Sequence, residues 1–211
     1  MTPPVPVPPP STPPVAALRL DPAAQDLLFR QAHSTHAFTG EPVTDETVRA
    51  AYDLVRYGPT AFNQQPLRVV LIRSPEARRK LLGHMSRGNR EKTARAPLTA
   101  VLAGDRDFHT ELPAQFPARP EAAGFYADPG VRERSALFNG GLQAAYFILG
   151  VRAAGLAAGP MSGFDAAGIN KEFFADSPHF VLAVVNIGWP AEGVRHSRGP
   201  RLDFQQVFST A

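Results

Sequence analysis

Four short polar strings hold the residues of this 211-residue chain best suited to bind or transform a small molecule. They are His33-Ser34-Thr35-His36-Ala37-Phe38, Gly58-Pro59-Thr60-Ala61-Phe62-Asn63-Gln64-Gln65-Pro66, Gly159-Pro160-Met161-Ser162-Gly163-Phe164-Asp165 and Arg198-Gly199-Pro200-Arg201-Leu202. Several familiar chemistries fail on them. The sequence has no cysteine, which removes disulfides, thiol nucleophiles, iron–sulfur clusters and zinc ribbons. Ser162 stands one place late for the GxSxG elbow of serine hydrolases. His33 and His36 are spaced for a metal on one helix face, but no HExxH pattern or acidic cluster completes a first shell. Neither GxxxxGK[ST] nor GxGxxG occurs, so an autonomous nucleotide loop is not expected. Singly, each string also has a plain structural use: Asn63 can cap a turn, Gly163 can serve a positive φ, and Arg201 can be a surface charge.

The strings fall at junctions between elements, where ligand groups usually lie. Asp21-Pro22 reads as an N-cap with proline at the first helical position, continued by Leu27, Leu28 and Gln31. Thr44 opens a second helix, with Asp45 and Glu46 in its first turn, Val48, Ala51, Tyr52 and Val55 on one face, and Gly58-Pro59 as its stop. Strands are predicted over 67–72, 98–103 and 180–189, a short helix from Ser74 to Gly83, another over 166–175, and a long buried helix over 131–154 containing Gly140 and Gly141. Between 105 and 130 the pattern dissolves into prolines, charges and isolated aromatics, which suggests a lid without regular structure. Eight of the 22 prolines fall within the first 14 residues, so 1–20 is expected to be a disordered proline-rich tail ahead of one domain over 21–211.

Loosely alternating helices and strands imply an α+β or α/β domain with helices covering a sheet. The 22 basic and 19 acidic residues are scattered, which argues against nucleic acid as a partner. No apolar run approaches the roughly 20 residues of a membrane helix, and the N-terminus lacks a basic start and apolar centre, so neither a membrane nor secretion is expected and the cytoplasm is the default.

Taken together, in order and separation, the four strings resemble the nitroreductase family of FMN-dependent oxidoreductases over about residues 25 to 208. Thr44-Asp45-Glu46-Thr47, Tyr57-Gly58-Pro59-Thr60, Gly88-Asn89, Gln143-Ala144-Ala145-Tyr146 and the Gly159 to Asp165 string look closest to the malonic semialdehyde reductase branch of uracil degradation.

The resemblance implies an α+β fold with a central mixed β-sheet flanked by helices, a homodimer with two FMN sites built from both chains, and NADH or NADPH as reductant. It assigns His33, Ser34, His36, Arg198 and Arg201 to the phosphate and ribityl chain. Pro59, Thr60, Ala61 and Asn63 fall along the flavin ring and its pyrimidine edge, and Pro160, Met161, Ser162 and Gly163 near its reactive N5. No protein nucleophile and no metal is required, because the flavin carries the chemistry. The sequence departs from the family at Ala32, where arginine is usual, at His36, where arginine or lysine is frequent, and at Ser162, where other branches often carry glutamate. The expected activity is ping-pong transfer to a small acceptor: malonic semialdehyde, with Arg106 or Arg119 as the cation in the lid, or a nitro or quinone compound. A flavin-binding homologue without turnover is the rival reading.

Overall fold

The computed structural model describes residues 18–191 and 198–211. Most of the proline-rich segment over 1–20 therefore lies outside the described residues. In chain order the elements are α1 (Pro22–Gln25), α2 (Asp45–Val55), β1 (Leu67–Ile72), α3 (Pro75–His84), α4 (Arg87–Arg95), β2 (Leu98–Asp105), α5 (Leu112–Gln115), α6 (Pro129–Ala153), β3 (Ala157–Met161), α7 (Ala166–Phe173), β4 (His179–Gly188) and α8 (Phe204–Val207).

Helix starts follow their caps. The side chains of Asp21, Thr44, Ser74, Asp128 and Asp165 each accept an N–H from the first turn of the helix they precede.

The four strands are ordered β1-β2-β4-β3. β2 is buried along its whole length, and its alternation sorts the core into two layers. Leu98, Ala100 and Leu102 join Phe147 and Val151 of α6, with Val48 of α2 packed against them. Val101 and Ala103 join Leu81 of α3 and Ile169 of α7 on the opposite face. Helices thus cover both faces of the sheet, as an α+β chain with this patterning requires. The strand directions differ from expectation. Every pairing among the described strands is antiparallel, so the mixed sheet is not found among them: the crossovers return β4 beside β2, and β3 beside β4, each running opposite to its neighbour.

The segment over 105–130 also differs. It forms 3-10 turns at Phe108–Glu111 and Pro120–Tyr126 with α5 between, and Phe108, Leu112 and Tyr126 bury themselves with Ala136 and Phe180 in a third cluster. Short helical turns have no room for a legible apolar period, so the aromatics read as isolated when they are anchors.

At this end of the sheet, Arg68 Nη2 lies 2.7 Å from buried Asp105, and His179 Nε2 lies 3.9 Å from the same carboxylate. Burial lowers the His179 pKa below its usual 6.5; Asp105 and Asp107 oppose that and Arg68 adds to it. The unfolded chain then binds the proton more readily than the folded one, so stability is full above about pH 6.5 and declines as the pH falls towards the folded-state value. Denaturant midpoints measured between about pH 7 and pH 5 are expected to fall less steeply in His179→Gln than in the parent. Parallel slopes would contradict this.

Candidate functional site

The first and fourth strings meet. The Thr35 N–H donates to the Ala158 carbonyl at 3.1 Å, which lays the His33–Phe38 segment along β3. Arg198 donates to the Arg30 carbonyl and, at 2.8 Å, to the Ala32 carbonyl. Together these segments line a cleft of about 670 Å³ with His33, Ser34, His36, Arg198 and Arg201, joined by Arg30 and Arg152. Among the described residues no carboxylate lines it; Asp26 reaches Arg30 only at 3.9 Å. Burial, and then the charge of Arg198, hold the Arg152 guanidinium below its ordinary pKa. Guanidinium groups gathered on one cleft, with no carboxylate among its described lining residues, suit an anionic ligand.

The third string completes this edge. Pro160 and Met161 close β3, and Ser162 and Gly163 continue beyond it. The Gly163 carbonyl accepts from the Ser86 N–H at 3.1 Å and from Asn89 Nδ2 at 2.9 Å, while the Ser162 carbonyl accepts from the Phe164 N–H at 3.1 Å.

The second string lies elsewhere. Pro59, Thr60 and Asn63 line a hollow of about 350 Å³ with Arg56, Tyr57, Gly58 and Gln65, leading into β1. Phe62, Asn63 and Gln65 all take positive φ, at 50°, 53° and 43°, a conformation costing non-glycine residues on the order of 1 kcal/mol each. A buried network holds it there. The Ala61 N–H donates to Asn139 Oδ1 at 2.8 Å, and Gln64 accepts from Ser135 Oγ at 3.0 Å and bonds Tyr126 Oη at 3.2 Å. The Asn63 amide nitrogen donates to the Gln115 carbonyl at 2.9 Å, and the residue is exposed.

The nitroreductase family model matches residues 29–189, well over half of the chain. A Streptomyces griseus protein provisionally named NADH dehydrogenase/NAD(P)H nitroreductase is 61% identical over 195 residues, covering 92% of this chain and 99% of its own length. The chain belongs to the nitroreductase family. Among solved structures, a Bacillus subtilis protein provisionally named nitroreductase superposes with a TM-score of 0.80 at 22% identity, over 90% of this chain and 99% of that one. A provisionally named nitroreductase from Exiguobacterium sibiricum, solved in complex with FMN, gives 0.78 at 17% identity, over 89% and 96%. These likenesses extend the fold assignment, and the expected enzyme class, an oxidoreductase of this family, stands with it.

In this nitroreductase the thirteen residues expected at the cofactor fall into two groups. His33, Ser34, His36, Pro160, Met161, Ser162, Gly163, Arg198 and Arg201 gather along the β3 edge. Pro59, Thr60, Ala61 and Asn63 lie just before β1, at the opposite edge of the sheet. Two cleft residues were missed. Arg30 ends the first helical turns and Arg152 occupies the last turn of α6, where a basic residue reads as an ordinary complement to the helix dipole. The position usual for the family's arginine is alanine here, and Arg30 and Arg152 bring positive charge to the same cleft from other directions.

No helix among the described residues is long and apolar enough to cross a membrane.

Proposed function

We propose that the protein is an FMN-dependent NAD(P)H oxidoreductase that works as a homodimer in the cytoplasm and passes electrons to a planar, weakly polar acceptor such as a quinone or nitroaromatic. The arginine cleft along β3, with no carboxylate among its described lining residues, carries this reading. FMN ends in a phosphate dianion, and Arg198, Arg152, Arg30 and Arg201, with His33, Ser34 and His36, supply the cations and donors that would hold it. Pro160 to Gly163 would lie along the ring.

The chemistry FMN supplies when bound is two-electron transfer, hydride in from NAD(P)H and out to the acceptor. The chain contributes binding and orientation. The second copy supplies what one chain lacks, since Pro59 to Asn63 sit at the far edge of the sheet. Phe138, Leu142 and Tyr146 recur at i, i+4 and i+8 along α6 and are exposed, as are Leu54 of α2, the helix packed on α6, and Tyr57 just after it, apolar surface of the kind that covers itself with a partner. Gly140, by contrast, is used inside the chain, where a Cβ would come within 2.8 Å of Leu182, and Gly141 faces open space.

The choice of acceptor rests on the segment over 105–130, which we take to be the lid. Phe116 and Phe125 stand 5.7 and 5.8 Å from Phe62, an aromatic surface beside the ring-facing string. Both candidate cations for an acidic aldehyde have partners. Arg106 pairs with Glu133 at 3.2 Å and lies over Phe180, and Arg119 pairs with Glu121 at 3.3 Å. Titration with FMN followed by NADH or NADPH is the test. Uptake of FMN, bleaching by reduced nicotinamide, and faster turnover of a quinone or nitroaromatic than of malonic semialdehyde are expected. Failure to take up FMN would end the reading; uptake without bleaching would leave a flavin-holding protein without turnover.

A further inference from the structure

Beside the arginine cleft, the first helical turns of the described chain leave a groove of about 420 Å³, walled by Leu18, Arg19, Leu20, Gln25, Phe29 and Arg30. Phe29 and Arg30 also line the cleft, so the two share a wall. Leu18, Leu20 and Phe29 are exposed, Phe29 to 53%. Gln25 is buried. Its amide nitrogen donates to the Leu20 carbonyl, whereas its Oε1 is buried and meets no donor among the described residues. A buried acceptor left without a donor costs stability. An occupant that suits this groove therefore brings an N–H as well as apolar surface.

The chain carries such an occupant at the right place. Its described part begins at Leu18, itself a wall of the groove, and the residues before it hold eight prolines and no charged side chain. Proline-rich segments dock on aromatic surfaces, and their extended backbone leaves its carbonyls without internal hydrogen bonds. Phe29 offers the aromatic face, and the guanidinium groups of Arg19 and Arg30 offer donors to those carbonyls. Between the prolines, Val5, Val7, Ser11 and Thr12 keep the N–H that Gln25 Oε1 lacks. A second copy suits the groove less well, because a two-fold contact here would set Arg19 and Arg30 against their own counterparts. The tether also helps: a contact with only a millimolar dissociation constant between separate molecules is about half populated at a millimolar effective concentration.

We infer that this groove is the docking site of the chain's own proline-rich segment, residues 3–14, which packs on Phe29, donates to Gln25 Oε1 and restrains Arg30 at the rim of the arginine cleft. The docking is independent of the cofactor. The effect of restraining Arg30 rests on the proposed flavin reading: a guanidinium already held in place loses less freedom when it meets a phosphate.

The sequence has no cysteine, so introduced pairs can trap the docked segment. Val7→Cys and Ser11→Cys are each combined, in the full chain, with Leu20→Cys in the groove or with Leu27→Cys, a position 46% exposed that does not line it. Tether length alone favours the Leu20 partner about twofold. Docking is expected to close at least one Leu20 pair about tenfold faster than its Leu27 counterpart, within a single chain. Adding Phe29→Ser to that pair should return the ratio to about twofold. With the disulfide closed, FMN should leave about threefold more slowly than from the reduced chain. Ratios of about twofold for both tail positions would overturn the docking, and disulfide-linked dimers in place of closed monomers would give the groove to a second copy and overturn it too. Should the serine variant fail to fold, the ratio in the parent background decides by itself. Unchanged FMN release from the closed chain would overturn the restraint on Arg30. A parent protein that takes up no FMN would remove the flavin reading, whereas the closure rates would still decide whether the segment docks.

Discussion

Phe138→Glu is expected to halve the mass of the protein in sedimentation and to abolish measurable FMN binding at micromolar concentrations. In a single chain Phe138 is 68% exposed, so the substitution costs the isolated fold almost nothing. In a two-fold interface the same residue appears twice. Losing the burial of two phenylalanines removes about 3 to 6 kcal/mol, and burying two unpaired carboxylates would cost several kcal/mol more. An exchange of this size outweighs the association energy of most micromolar dimers, about 8 kcal/mol. Loss of flavin follows from the sheet. The cleft on the β3 edge keeps its arginines in a monomer, but the string from Pro59 to Asn63 leads into β1 at the opposite edge of the sheet and would not reach the ring. Sedimentation and a fluorescence titration of FMN on the same sample decide the matter. A monomer that still binds FMN tightly would show that one chain suffices, and a dimer that persists would move the interface off α6.

How far this could be read in advance depends on what each element advertises. β1 was legible to the residue because its apolar run is bounded by Pro66 and by Ser74-Pro75, and α6 because its apolar centre, Leu142, Ala145, Tyr146 and Leu149, keeps helical spacing. β3 was not, since Ala157-Ala158-Gly159-Pro160-Met161 carries the composition of a turn. Its pairing with β4 and the docking of Thr35 on its free side make it a strand. α4 was missed for the opposite reason: Arg-Gly-Asn-Arg-Glu-Lys-Thr-Ala-Arg has no apolar stripe and buries only Thr93. The candidate site divides the same way. Motif order pointed to His33, Ser34, His36, Arg198 and Arg201, which line one cleft. It gave no hint of Arg152, whose arrival there depends on α6 spanning roughly 37 Å and ending at the cleft. Nor could order reveal that the Pro59 to Asn63 string lies across the sheet, because sequence separation carries no sign of which edge a segment occupies.

The second large effect is expected at Arg198. Its guanidinium holds the Arg30 and Ala32 carbonyls, so it both ties the C-terminal string to the N-terminal one and lends its charge to the cleft. Arg198→Ala removes one charge-assisted contact to a phosphate, worth about 1.5 to 3 kcal/mol, and unpins residues 30 to 32 as well. FMN affinity should fall by about 30- to 100-fold. Arg198→Glu adds repulsion between a carboxylate and the dianion among the remaining guanidinium groups of the cleft, and the loss should exceed about 300-fold. Arg201 provides the internal comparison. Its Nη1 is occupied by the Gly199 and Pro200 carbonyls at 2.9 and 3.0 Å, so Arg201→Ala should weaken FMN by only about fivefold. The direction of the salt dependence separates charge from architecture. If Arg198 acts through its charge, the parent's FMN affinity falls with added salt and that of Arg198→Ala falls less steeply; equal slopes would mean that Arg198 acts only as a strut between the two strings. Calorimetric titration of the three variants at two ionic strengths measures both quantities at once, and an Arg198→Glu protein that binds FMN as well as the parent would show that the arginine cleft is not where the phosphate goes.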